Sequence, residues 1–383
     1  MVRLQRSEAA IKDLAVRRAL ALGAASVRVV SAQRSLATER ALRESFRRGD
    51  LDTWGYGDAY ARDASTPTNV LRGARSILCV ALPYATQQPA RARLSGRVSN
   101  YAWSADYHRT LQTLLRDVAA RIDEAAGAPV TAVACDTQPL AERAFAAAAG
   151  VGWIGKHTNL ISPESGSFIF LGEILTTLAL PADLPLRKTC GQCRRCVDVC
   201  PTRALRGDYT IDATRCIADL TQRTDAIPRA LRPLVGDWVW GCDLCQLVCP
   251  PTQRAGETAG ASAEPLSRAS ATPSLVAMLR LKSAEFKRDY RPTAMGWRGA
   301  AVLRRNAAVA LGNALDRSTV PVLLEALEHD PHPMVRGHVA WALGRIGSPA
   351  AIAGLRGRLE GGEDAAVREE VEAALEPFVG TAR

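Results

Sequence analysis

Apolar residues recur along the chain in two rhythms, one of about 3.6 residues and one nearly continuous. Near the start, Ile11, Leu14, Ala15 and Leu22 fall on one helical face, and helical spacing returns further on. These stretches predict helices over 6–23 and 35–48 around a short β-branched strand, Val27–Val30. Ser76–Leu82 is an unbroken apolar run closed by Pro83, the pattern of a buried strand. Leu111, Leu114, Leu115, Val118 and Ile122 then form one stripe of a long helix that opens near Tyr107. Val130–Cys135 reads as another short strand, and it delivers Asp136 to a strand-to-helix junction, with Pro139 suited to the first turn of the helix expected there. On local pattern alone Asp136 is a helix cap as readily as a functional carboxylate. Phe168–Leu180 predicts a closing strand with Gly172 and Glu173 inside it. Strands and helices mixed in this way predict an α+β domain over 1–183.

Towards the other end the rhythm is helical only, and it repeats. Arg304, Leu311 and Gly312 align with Arg336, Leu343 and Gly344, and Arg368 and Leu375 follow at the same 32-residue offset. A helical unit of that period predicts a short HEAT-like array, in which each helix pair buries its apolar face on the next. Thr252–Pro273, rich in Ala, Gly, Ser, Thr and Pro, is expected to be a linker or a loosely packed loop. The chain thus divides into 1–183, a cysteine-rich module over 184–256, and a linker with helical repeats over 257–383. The approach to the repeats, Arg280 to Arg305, carries eight Arg and Lys against Glu285 and Asp289, with Phe286, Tyr290 and Trp297 interleaved. That mixture suits phosphate contacts and base stacking, or simply a solvated helix face.

Composition narrows the classes. The chain has 383 residues, 47% of them hydrophobic, enough to bury a full core. A net charge of +10 permits an acidic polymer as partner without requiring one. No apolar run approaches the roughly 18 residues of a membrane span. Arg17-Arg18 before an apolar stretch fits an ordinary first helix better than an export signal, since its apolar residues share one face and Arg28 interrupts the end. Gly150–Asn159 is Gly-rich and basic, yet Lys156 is followed by His157 rather than Ser or Thr, which excludes a P-loop. Asp330-Pro-His332 reads as a turn between repeats.

The chemistry lies in the cysteines. Cys190, Cys193, Cys196 and Cys200-Pro201 have the spacing of a bacterial ferredoxin run, and Cys242, Cys245 and Cys249-Pro250 form a second run lacking its first member. Cys216, between the runs, replaces it. Eight thiolates suffice for two 4Fe–4S cubes: Cys190, Cys193, Cys196 and Cys249 for one, Cys200, Cys216, Cys242 and Cys245 for the other. Paired zinc sites would show two separated C-x₂-C knuckles without the third cysteine and following proline. Thiols used this way belong to a reducing compartment, so a cytoplasmic protein is expected. Cys79 reads as a small core residue.

The whole resembles the epoxyqueuosine reductase family. The resemblance rests on Asp106-Tyr107-His108-Arg109, on Asp136 to Arg143, on Gly152-Trp153-Ile154-Gly155-Lys156, on Phe170-Leu171-Gly172-Glu173-Ile174, on the cysteine pattern with its displaced Cys216, and on the repeat tail. It implies a cobalamin held base-off between the N-terminal domain and the cluster module. It implies a tRNA substrate bearing epoxyqueuosine at the wobble position, reduced to queuosine with Asp136 as the proton donor. Tyr107, His108 and Arg143 would line the base pocket. Trp103, Asp136, Thr158, Thr221, Gln222 and Asp243 would contact cobalamin. An external donor such as a flavodoxin or ferredoxin would recharge the clusters, and the protein would work as a monomer. Leu51–Tyr60 departs from the family pattern, as does Cys135 beside Asp136.

Overall fold

The computed structural model describes residues 7–84, 89–258, 271–361 and 363–378. Among these described residues the strands are β1 (Ser26–Ser31), β2 (Ser76–Pro83), β3 (Arg97–Val98), β4 (Thr131–Ala134), β5 (Trp153–Ile154), β6 (Leu160–Ile161), β7 (Ile169–Thr176) and β8 (Trp238–Trp240). Helices α1 (Glu8–Ala21), α2 (Leu36–Arg47), α3 (Asp58–Ala64), α4 (Tyr107–Ala126) and α5 (Glu142–Ala149) accompany the first seven. Close packing divides the chain into two units, each assembled from separate segments: 1–87, 106–214 and 244–264 form one, and 88–105, 215–243 and 265–383 the other.

The first unit is built on an antiparallel sheet in the order β1-β2-β7-β4. Alternation along each strand assigns side chains to its two faces. Leu78, Val80 and Ile174 pack with Leu111, Leu115, Val118 and Ile122 of α4 and with Ile11 and Ala15 of α1. Ile77, Cys79, Ala81 and Leu175 pack on the opposite face with Phe145, Ala146 and Ala149 of α5. The central strands are covered on both faces, which is why β2 reads as an unbroken apolar run. Gly172 faces α4 and admits it closely: a Cβ there would come within 2.7 Å of Leu115. Its neighbour Glu173 consequently points to the α5 face, fully buried.

The second unit holds the repeats. Helices Ala300–Ala314, Pro333–Ile346 and Ala365–Leu375 recur at the predicted offset, separated by Val320–His329 and Pro349–Glu360. Gly312 and Gly344 allow successive repeats to touch, since a Cβ at either would fall within 2.9 Å of the next helix. In the same unit β3 pairs in parallel with β8.

Several boundaries differ from expectation. The helix expected at Asp136 begins only at Glu142, because two tight turns, Leu140 N–H to Gln138 O and Glu142 N–H to Leu140 O, occupy the intervening residues. Pro139 therefore lies outside the helix, and Asp136 does not cap it. The proposed linker is partly helical, Pro250–Thr258 running through its start, while 259–270 lie outside the described residues. Arg305, counted within the basic stretch, is fully buried and donates to the carbonyls of Leu220, Arg223 and Asp225. Arg304 is paired with Asp330, and Tyr290 is buried. The solvent-facing part of the stretch is Arg280, Lys282, Lys287, Arg288 and Arg291, with Trp297 also exposed.

Candidate active site and cluster cysteines

In the first unit β4 ends at Ala134 and hands the chain to Asp136, whose φ of 51° is left-handed. For a residue other than glycine that conformation costs on the order of 1–3 kcal/mol and persists only where neighbours impose it. Two contacts do so. The Asp136 N–H donates to Glu142 Oε1 at 2.6 Å, and the Tyr107 hydroxyl donates to Asp136 Oδ2 at 3.1 Å. Asp136 itself is exposed, so its carboxylate is presented to solvent from a held backbone.

Tyr107 and His108 arrive from the first turn of α4, which Asp106 caps by accepting the His108 N–H. The Tyr107 ring lies on Phe170 of β7, centroids 4.1 Å apart and planes within 3°, and on the His108 ring at 4.1 Å. His108 stands between two carboxylates: Nδ1 is 2.7 Å from Asp106 Oδ1 and Nε2 is 3.7 Å from Asp136 Oδ2. Asp136 above all, and Asp106 with it, raise the imidazole pKa, favouring the charged form. Arg143, exposed on α5, donates to the Thr158 carbonyl at 2.8 Å, and Thr158 is itself left-handed. Four residues predicted for the site from the sequence, Asp136, Tyr107, His108 and Arg143 with its Thr158 partner, are thus assembled in one unit.

The sequence reasoning missed the groups behind them. Glu173 on β7 meets the Glu142 side chain at the start of α5, and Tyr60 of α3, stacked on Tyr56 at 4.1 Å, feels Asp136 and Glu142. The available signal was an acidic residue in the middle of an apolar strand.

Cys190, Cys193, Cys196 and Cys249 line one cavity of about 200 Å³, with Trp153, His157, Ile161 and Pro250 completing the wall. Cys196 lies within the short helix Arg195–Asp198, Cys190 and Cys193 precede it, and Cys249 follows the short helix Leu244–Leu247. Burial, and then the neighbouring Cys190, Cys249 and Cys193, push the Cys196 thiol up to about 11, so a cation in the cavity is what would hold four thiolates together. Lys156 braces this loop: its N–H donates to Cys190 Sγ at 3.4 Å and its Nζ to the carbonyls of Gly191 and Cys193. The Gly-rich segment that superficially matched a phosphate loop therefore supports cysteines. Of the other quartet, Cys200 and Cys245 belong to the first unit and Cys216 and Cys242 to the second. Cys216 stands at the N-terminal boundary of the short helix Ile217–Gln222, without a side-chain capping bond.

The remaining predicted cobalamin contacts lie in the second unit. Asp243 is buried with its carboxylate accepting from Ser99 Oγ and the Asn100 N–H. Thr221 Oγ1 donates to Ile217 O and accepts the Gly241 N–H, and Trp103 Nε1 donates to Val98 O. The polar atoms of these three are bonded within the unit and fix its loop shape. In the first unit Thr158 is half-buried and Asp136 exposed, and in the second Gln222 is half-buried, so each keeps some polar surface of its own.

Comparison with known proteins agrees with this layout. Residues 65–137 match the model described as epoxyqueuosine reductase QueG, DUF1730, residues 189–252 a 4Fe-4S double cluster binding domain, and residues 299–376 HEAT repeats. The epoxyqueuosine reductase of Bacillus cereus is 33% identical over 327 residues, spanning 84% of this chain and 86% of that protein. A crystal structure of epoxyqueuosine reductase with an epoxyqueuosine-modified tRNA-Tyr stem loop superposes with a TM-score of 0.90 at 30% identity, covering 98% of this chain and 100% of that one. The Bacillus subtilis enzyme, in a structure with an aspartate-bearing catalytic loop swung out of the active site, gives 0.90 at 30% identity over 97% and 99%. This chain, an oxidoreductase with a double-cluster domain and a HEAT-repeat tail, belongs to the epoxyqueuosine reductase family.

Proposed function

We propose that the protein reduces epoxyqueuosine at the wobble position of tRNA to queuosine, the epoxide oxygen leaving as water while an alkene forms. The step consumes two electrons and two protons. The observation that supports it most is the exposed Asp136 carboxylate held on a left-handed backbone between Tyr107 and His108. Two 4Fe–4S clusters and a base-off cobalamin would supply the electrons at low potential. The clusters would be held by Cys190, Cys193, Cys196 and Cys249, and by Cys200, Cys216, Cys242 and Cys245. Asp136, Thr158 and Gln222 would offer polar contacts to the corrin, with Trp103, Thr221 and Asp243 shaping its surroundings.

In this scheme Asp136 protonates the departing oxygen. Tyr107 orients that carboxyl, and the His108 imidazolium, held by Asp106, restores its proton after turnover. Tyr107, His108 and Arg143 border the base, and the exposed Lys282, Lys287, Arg288 and Arg291 meet phosphates. The setting is the cytoplasm, with a monomer recharged by a flavodoxin or ferredoxin.

Nucleoside mass analysis of tRNA tests the reading. Cells lacking the gene should accumulate epoxyqueuosine, the wild-type chain should restore queuosine, and Asp136→Asn should not. Queuosine made normally without the gene would reject it.

A further inference from the structure

The strongest feature unused by that mechanism lies directly behind Asp136. Glu173 sits mid-strand on β7, opposite Cys79 of β2 and Ala134 of β4, and is fully buried. Among the described residues, neither of its carboxyl oxygens has a conventional hydrogen-bond donor. The polar group it meets is the Glu142 carboxyl, and two carboxyls can bond only when one carries a proton. Glu142 in turn accepts the backbone N–H of Asp136 at 2.6 Å, the contact that holds the left-handed turn.

Resting on the function proposed above, we propose that Glu142 and Glu173 share a single proton, neutral Glu173 donating to anionic Glu142, and that this pair is the positioning device for the Asp136 loop. Two negative charges in contact inside a core are strongly disfavoured, and one shared proton removes that conflict while leaving a full charge to grip the Asp136 N–H. Burial drives both groups the same way: it pushes Glu173 well above the usual carboxyl range, with the Glu142 charge adding to it, and pushes Glu142 up to about 7, where the Asp136 N–H opposes the rise. The groups facing the pair are Asp136 from the loop, Arg143 from α5, Tyr60 from α3, and the thiols of Cys79 and Cys135. Arg143 directs a guanidinium nitrogen to Thr158.

The two glutamates should respond asymmetrically to the same substitution. Because Glu173 acts as a neutral donor, Glu173→Gln should keep the single-turnover reduction of an epoxyqueuosine stem loop within about threefold of wild type. Glu142→Gln loses the anion and should slow that step at least tenfold, with stem-loop affinity unchanged within twofold. Glu173→Ala, which removes the donor, should not be rescued. Independently of activity, the wild-type minus Glu173→Gln infrared difference spectrum at pH 7 should contain a protonated-carboxyl C=O band. Equal effects of the two Gln variants, the reverse asymmetry, or no such band would overturn the assignment. Absence of any epoxide reduction by wild type would instead reject the functional reading, leaving the infrared result to judge the pair.

Discussion

The Tyr107 hydroxyl donates to Asp136 Oδ2 at 3.1 Å while its ring lies flat on Phe170. The stacking fixes the ring, and the ring fixes where the hydroxyl meets the carboxylate. Tyr107→Phe keeps the first and removes the second. A hydrogen bond to a charged group is worth about 1.5–3 kcal/mol, so single-turnover reduction should fall by roughly 10- to 100-fold. Unchanged rates would show that Tyr107 serves only packing.

His108 should dominate the pH dependence of repeated turnover. Its pKa is raised, chiefly by Asp136, so the imidazolium persists above the ordinary histidine value of about 6.5. The charged form, and the stability its pairing contributes, is complete below that value and is lost as pH rises through the raised one. Turnover should therefore decline on the alkaline side, and His108→Gln should lower the rate and flatten that decline. A His108→Gln profile superimposable on wild type would remove the histidine from proton return.

Lys156 should control cluster retention without touching substrate. Its three contacts tie the Gly152–Lys156 segment to the Cys190–Cys193 loop. Lys156→Met keeps the backbone donor but loses both Nζ bonds. Supporting contacts of this kind are commonly worth roughly 10- to 100-fold in metal affinity. Iron release to a chelator, followed by absorbance, should accelerate by about tenfold.

The basic stretch should separate into two behaviours. Arg305→Ala removes a buried guanidinium bonded to three carbonyls and to Asn306, and should destabilise by about 3–5 kcal/mol in denaturant unfolding. A Lys287→Ala, Arg288→Ala, Arg291→Ala triple variant should unfold like wild type. Its tRNA affinity should fall, and the slope of log affinity against log salt should become shallower by about 2. An unchanged salt slope would remove these side chains from the interface.

Local pattern was enough wherever a residue's environment is set by its near neighbours. The stripe from Leu111 to Ile122 is a helix because those residues share one face, and Ser76–Leu82 is a strand because the run is bracketed and covered on both sides. The cysteine spacing, the offset of the repeats and the strand delivering Asp136 were legible for the same reason. Where the pattern misled, an irregular local turn or a long-range contact decided. Asp136 reads as a helix cap, yet the turns after Pro139 delay the helix to Glu142 and free the carboxylate. Arg305 reads as one more surface cation, yet carbonyls more than 80 positions or so away in sequence enclose it.

By itself the sequence determined the α+β and repeat architecture and the cysteine chemistry, since each depends on spacing or on a contiguous motif. Only the tertiary structure decided that Glu173 turns to the α5 face, meets Glu142 and so reaches the Asp136 backbone. Strand alternation names the face, but which carboxyl waits there depends on how a helix from another part of the chain packs, and burial then makes the two share a proton.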